Sequence, residues 1–252
     1  MDIKRLSLLL VVLTFTLAGC ASNNTQPVYV NGTEIKDPME EYNRAVFRFN
    51  DYLDETLLEP VARGYKYITP DFAERGIRNA LDNIRSPLYF GNQLLQADFE
   101  GALDVLMRAM INTTFGVLGF VDLAADAGIE KEKEDFGQTL AVWGVDHGPY
   151  FVVPLYGPGT IRDHLASAGE SFVNPVRIYL SNIDETEIYY GLVAIDLIDQ
   201  RARLINVLED LKESSIDYYA AVRSSYYQNR DALTKDQDKD FGAMPQVPDY
   251  SD

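Results

Sequence analysis

The chain has 252 residues, with 22 Lys+Arg against 39 Asp+Glu and a formal net charge of −17. That sign excludes the basic face a nucleic-acid binder needs to displace phosphate counterions, and it argues equally against electrostatic docking on anionic lipid. One Cys and two His exclude an internal disulfide and the usual zinc constellations.

The remaining composition, 46% hydrophobic and 12% aromatic, suffices for a sizeable core. No EF-hand spacing occurs, so neither a metal nor another cofactor is expected. Lys4 and Arg5 precede an eleven-residue apolar run, Leu6–Thr16, too short to span a bilayer. Leu17-Ala18-Gly19-Cys20 then resembles the bacterial lipobox: small residues at 18 and 19 admit a signal peptidase, and the Cys20 thiol accepts a diacylglycerol. The other reading is an ordinary secretory signal with a chance cysteine, but the single Cys stands where a lipobox needs it. Residues 1–19 are thus expected to be a signal peptide, leaving 233 residues with net charge −18 once Asp2, Lys4 and Arg5 are gone. Acyl chains, at about 0.8 kcal/mol per buried methylene, hold such a protein on a membrane without a basic patch. Ala21-Ser22 lacks the aspartate that keeps similar lipoproteins at the inner membrane. The expectation is the periplasmic side of the outer membrane, anchored at Cys20.

Residues 20–36 read as a lipidated tether rich in Asn, Thr, Pro and Gly, and residues 234–252 as a disordered acidic tail. Between them, residues 37–233 read as one all-α domain. Tyr42, Val46, Phe49, Leu53 and Leu57 give an amphipathic helix over 41–57, ending before Pro60. A second covers 71–85, with Pro87 just beyond its end. A third begins near Asp98 and carries Phe99, Leu103, Leu106 and Met110. Residues 136–163 hold five of the 17 Gly and three of the 11 Pro. They read as an ordered, glycine-rich loop system, because Trp143, Tyr150, Phe151 and Tyr156 are too apolar to float in water. Asp184-x-x-Glu187 resembles a capping box ahead of Leu197, Arg201, Leu204, Leu208 and Leu211. A last helix covers about 216–230.

An enzyme is not expected. No Gly-x-Ser-x-Gly elbow, Walker loop or dinucleotide fingerprint is present. His147 and His164 each lie near an aspartate, but a hydrogen-bonded structural His is the plainer reading. Asp104, Arg108 and Asn112, at i, i+4 and i+8, form one polar stripe on an otherwise apolar helix. In water this is a solvated outer face; in a protein sunk into lipid it turns inward. The same two readings apply to Asn43, Arg44, Arg48 and Asn50, and the sequence leaves both open.

Asp37-Pro38-Met39-Glu40-Glu41-Tyr42-Asn43-Arg44, with Phe47 and Phe49-Asn50, resembles the opening of the VacJ/MlaA outer-membrane lipoproteins. The likeness continues through Pro70, Gly76, Asn83, Asn112-Thr113, Gly119-Phe120 and Asp122. It is densest in Phe136-Gly137, Trp143-Gly144-Val145, Gly148-Pro149-Tyr150, Pro154-Leu155-Tyr156-Gly157-Pro158 and Arg162-Asp163. Tyr218 stands where the family often has proline, and Ala97 where glycine is common. The resemblance implies a ring-like arrangement of amphipathic helices embedded in the inner leaflet, with a channel for phospholipids. It further implies removal of phospholipids mislocalised to the outer leaflet, and hand-over to a periplasmic lipid carrier that serves an inner-membrane ABC transporter. An outer-membrane porin trimer is the implied partner. On that basis Asn43, Arg44, Arg108 and Asn112 are candidate channel or headgroup contacts. Gly137, Trp143, Gly144, Gly148, Pro149 and Tyr150 are candidates for a gating loop. A structural or porin-binding adaptor without its own lipid path is the alternative, and a lipid hydrolase lacks a nucleophile.

Overall fold

A computed structural model describes residues 28–30 and 33–234. In chain order it contains a ribbon of β1 (Val28–Val30) and β2 (Thr33–Ile35), helix α1 (Glu40–Leu53), and a π-helical turn (Asp54–Leu58). Helices α2 (Glu59–Ile68), α3 (Asp71–Leu95) and α4 (Phe99–Thr114) follow, then the short α5 (Leu123–Asp126) and α6 (Phe136–Val142). A second ribbon, β3 (Tyr150–Val153) and β4 (Gly157–Thr160), leads into α7 (Ile161–Val173), α8 (Pro175–Asn182), α9 (Thr186–Arg203), α10 (Ile205–Ser214) and α11 (Tyr218–Thr234). The chain is mostly helical, as expected. Among the described residues no helix is long and apolar enough to cross a membrane.

Both ribbons are antiparallel, with Val28 opposite Ile35 and Tyr150 opposite Thr160. The body begins ahead of Asp37. Ile35 is buried, and the Tyr150 N–H donates to the Lys36 carbonyl at 2.7 Å, so the end of the stretch read as a tether is built into the fold. Cys20, and the residues after Thr234 that were read as an acidic tail, lie outside the described residues.

Several boundaries differ from expectation. The first helix does not stop before Pro60: the π-helical turn carries the chain into α2 with helical backbone throughout, and Pro60 costs one rung at that junction without breaking the helix. α3 runs through Pro87 to Leu95. Proline removes one rung of the ladder, but packing against α4, α6, α8 and α9 holds the helix on both sides of it. The loop system of 136–163 contains α6, capped by the Asp135 carboxylate on the Gln138 N–H at 2.9 Å, and the β3–β4 ribbon. Pro149 and Pro154 flank β3 and Pro158 lies in β4, positions a two-stranded ribbon tolerates because neither strand is central. No capping box forms at Asp184, which adopts φ +59° and turns the chain into α9 instead.

Burial runs opposite to that of a water-soluble protein. Among the described residues 13 hydrophobic ones are buried, five of them Ala, against 17 buried polar or charged ones, while 37 large hydrophobics are exposed. Helix α4 shows the pattern most simply. It buries Gly101, Ala102, Val105, Arg108 and Asn112, and exposes Phe99, Leu103, Leu106 and Met110. α9 likewise buries Asp196, Asp199 and Arg201 and exposes Ile188, Val193, Ile195 and Leu197. The main apolar cluster is aromatic: Tyr150, Tyr219 and Tyr227 with Ile35 and Val152.

Candidate functional site

The inward stripe of α4 opens on a polar pocket between α3 and α4, about 30 Å³ in volume, lined by Asp82, Asn83, Arg108, Asn112, Asp122 and Lys131 among others. That volume suits a few waters, not a whole phospholipid. Arg108 grips both Asp122 oxygens, at 2.7 and 2.6 Å, and also donates to the Ile129 carbonyl. Asn112 donates to Asp122 at 2.9 Å and accepts the Ala124 N–H at 3.0 Å. Burial pushes the Asp122 carboxyl up, but Asn112, Arg108 and Lys131 outweigh it and hold it below the usual carboxylate range. On the α3 side, Asp82 receives Lys131 at 3.1 Å and Lys133 at 2.8 Å. Its carboxyl is also held low, burial being overcome by the two lysines. Asp104, at the outer end of the stripe, is half-buried.

Asn43 and Arg44 belong elsewhere. Asn43 is fully buried, donating to Asp37 Oδ1 at 2.7 Å and to the Tyr150 carbonyl at 3.1 Å, and accepting the Val152 N–H at 2.9 Å. Arg44 holds Asp217 through two hydrogen bonds, at 3.0 and 2.6 Å, and lies 4.4 Å over the Tyr219 ring. Asp37 also accepts from Tyr219 and Arg223. This network clips the segment before α1 to β3 and α11. Arg48 is exposed, and Asn50 bonds the Val153 carbonyl and the Leu155 N–H.

The six candidate gating residues do not form one loop. Gly137 lies in α6, where an added Cβ would stand 2.6 Å from both Arg230 and Asp163. Tyr150 is in β3 and fully buried. Between them, Trp143 is half-exposed and donates to the Leu95 carbonyl at 3.0 Å, and Gly144 and Gly148 turn the chain at φ +87° and +68°. Those turns suit glycine. The Pro149 carbonyl accepts the Ile161 N–H at 3.1 Å. Gly137 and Tyr150 are thus fixed in packed elements, whereas residues 143–146 are exposed chain. His147 joins Asp231 at 2.9 Å and accepts from Arg162 at 3.1 Å; His164 bonds the Phe151 carbonyl. Both histidines tie elements together. Among the described residues no group of three or more His, Cys, Asp or Glu could hold a metal ion.

Asp82, Lys131 and Lys133 were not singled out from the sequence, though a signal existed. Glu130-Lys131-Glu132-Lys133-Glu134 alternates in sign, and in extended chain a period of two puts both lysines on one side. Here both reach Asp82, while Glu132 and Glu134 accept from Gln93 and Gln96.

Charged groups are gathered inside this helical body and apolar side chains are turned outward, the pattern of a lipoprotein-like body with large exposed apolar faces. The chain belongs to the MlaA lipoprotein family, which residues 35–233 match. It is 33% identical over 224 residues to the intermembrane phospholipid transport system lipoprotein MlaA of Escherichia coli, covering 87% of this chain and 85% of that protein. An uncharacterised Rickettsia typhi protein is 35% identical over 200 residues, 79% of this chain and 78% of its own. A solved structure described as the structural basis for maintenance of bacterial outer membrane lipid asymmetry superposes with TM-score 0.69 and 31% identity. It covers 79% of this chain and 99% of its own.

Proposed function

We propose that this chain is an outer-membrane lipoprotein, anchored at Cys20 on the periplasmic side, that removes phospholipids mislocalised to the outer leaflet. It passes them to a periplasmic carrier and so maintains lipid asymmetry. The inverted burial is the observation that carries this reading. A phospholipid has a charged head and two apolar tails, so its path needs polar and apolar walls together. Exposed Leu103, Leu106 and Met110 suit acyl chains, and the inward face with Arg108 and Asn112 supplies the polar wall. Helices arranged around such a path, lying in the inner leaflet, fit the lack of a membrane-crossing helix among the described residues. A porin trimer as neighbour, and an ABC transporter beyond the carrier, complete the route. The role requires no catalytic step.

The test is outer-leaflet phospholipid on intact cells, labelled by a probe that reaches only exposed headgroups. Deletion of the gene should raise the signal, the wild-type gene should restore it, and Cys20→Ala should not. An unchanged outer leaflet on deletion would refute clearance and leave an adaptor role.

A further inference from the structure

We propose that the turn at residues 115–118, which ends α4, is a rigid tip that enters the hydrocarbon of a lipid bilayer. This rests on the outer-membrane reading above and adds the segment that goes deepest. Phe115, Val117 and Leu118 are 72%, 71% and 72% exposed. Val117 and Leu118 also stand in the left-handed region, at φ +54° and +56°. That backbone strains a β-branched or bulky residue and leaves glycine at ease. A turn facing water would lose nothing by carrying glycine at both positions. Large apolar side chains there are unfavourable twice over, in backbone strain and in hydration, unless an apolar phase covers them.

The base of the tip holds it in place. Gly116 packs on the backbone of Asn112 and Val121, Gly119 on Asn83, and the Phe120 ring on Gly76. Of the seven N–H groups from Phe115 to Val121, five donate to nearby carbonyls: Phe115 to Ile111, Leu118 to Thr113, Gly119 to Asn112, Phe120 to Val117 and Val121 to Gly116. Hydrocarbon tolerates irregular backbone only where its polar groups are met from within. A protein partner would be expected to meet a polar rim, but the thirteen residues from Ala109 to Val121 carry no charge, and their exposed polar side chains are the hydroxyls of Thr113 and Thr114. The charges of α4 lie toward its other end, at Glu100 and Asp104 beside the capping Asp98, and Arg108 is buried on Asp122. The sixteen residues of α4 measure about 24 Å, against roughly 15 Å for the hydrocarbon of one leaflet. A tilted α4 therefore reaches from the headgroups to the middle of the bilayer, with its uncharged end innermost.

With Cys20 acylated, Leu118→Cys gives the full lipoprotein one free thiol for an environment-sensitive fluorophore. The labelled protein is placed in vesicles of phosphatidylethanolamine and phosphatidylglycerol carrying bromine at shallow or deep acyl positions. Glu213→Cys, on the exposed side of α10, is labelled for comparison. The label at 118 should shift to the blue, resist aqueous iodide and be quenched more by deep bromines than by shallow ones, while the label at 213 should be quenched by iodide. Phe115→Asp added to Leu118→Cys puts a carboxylate on the tip, which water accepts and hydrocarbon does not, and should restore iodide access. Iodide quenching at 118 equal to that at 213, strongest quenching by the shallow bromines, a blue shift without acyl quenching, or protection unchanged by Phe115→Asp would each overturn the proposal. Phe115→Cys, equally exposed, carries the same label if Leu118→Cys fails to fold. A tip in water with clearance on cells intact sinks this inference alone; an outer leaflet unchanged by deletion of the gene sinks the reading beneath it.

Discussion

Asn43→Ala separates a structural role from lipid contact at a residue the sequence offers for either. Asn43 is fully buried and makes three hydrogen bonds, at 2.7, 2.9 and 3.1 Å, to Asp37, the Val152 N–H and the Tyr150 carbonyl. Truncation leaves two backbone groups in β3 without these partners and removes one of the donors around a buried carboxylate. Each buried group left unsatisfied costs about 1–3 kcal/mol, so the two backbone groups alone cost about 2–6 kcal/mol. The weakened grip on Asp37 adds little to that, since Tyr219 and Arg223 still hold it. Urea unfolding of the detergent-solubilised protein, followed by circular dichroism, should show a loss of at least about 2 kcal/mol. Asn43→Asp should be no milder, because it places a second carboxylate against Asp37. A loss below about 0.5 kcal/mol, the size of an ordinary surface substitution, combined with loss of lipid clearance, would refute the structural reading and return Asn43 to the lipid path.

Three further outcomes follow from the same geometry. Gly76→Val should destabilise by about 1–3 kcal/mol, because even a Cβ would stand 2.1 Å from Phe120 Cζ; an unfolding midpoint equal to wild type would show that the 115–121 loop does not rest on α3. Arg108→Leu, which leaves the Asp122 carboxylate without its bidentate partner, should cost about 3–5 kcal/mol, and Asp122→Asn in the same chain should recover part of it; no recovery would sever the pair. Asp82, Asp122 and Asp163 all have carboxyls held below the usual range, burial at each being outweighed, at Asp163 by Arg230, Tyr226 and Arg162. Their stabilisation is complete above the unfolded carboxylate value of about 3.9 and is lost as pH falls below it. The unfolding midpoint should stay level from pH 7 to 5 and drop below about 4, less steeply in Asp163→Asn.

The helices were legible because apolar spacing survives whichever way a helix faces. Phe99, Leu103, Leu106 and Met110 mark one side of α4 in the sequence, and they share one side in the structure. Direction was not legible. Periodicity gives two faces but not the medium each meets, so Arg108 and Asn112 fitted an outer or an inner face equally until packing against Asp122 settled it. Pro60 and Pro87 misled for another reason: each costs one rung of a helix that continues on both sides of it, through the π-helical turn at Pro60 and through the packing of α3 at Pro87. α7 went unmarked because Gly157 and Gly159 precede it, and these sit in β4, with Thr160 rather than glycine capping the helix. The site was hardest to read, since Asp82 meets Lys131 and Lys133 across about fifty positions, a distance no local pattern spans.

The inverted burial underlies both fold and function, and Trp143 reports on it directly. It is the one Trp of the chain, is 54% exposed and is tethered to the end of α3 through the Leu95 carbonyl. The lipidated protein would be reconstituted in vesicles whose lipids carry bromine at defined acyl depths, and Trp143 fluorescence recorded. Quenching by acyl bromines, strongest at the shallow positions, with little quenching by aqueous iodide, is the result expected if the apolar faces lie in one leaflet. Free quenching by iodide and none by the brominated chains would contradict the account, because the exposed hydrophobics would then face water or another protein.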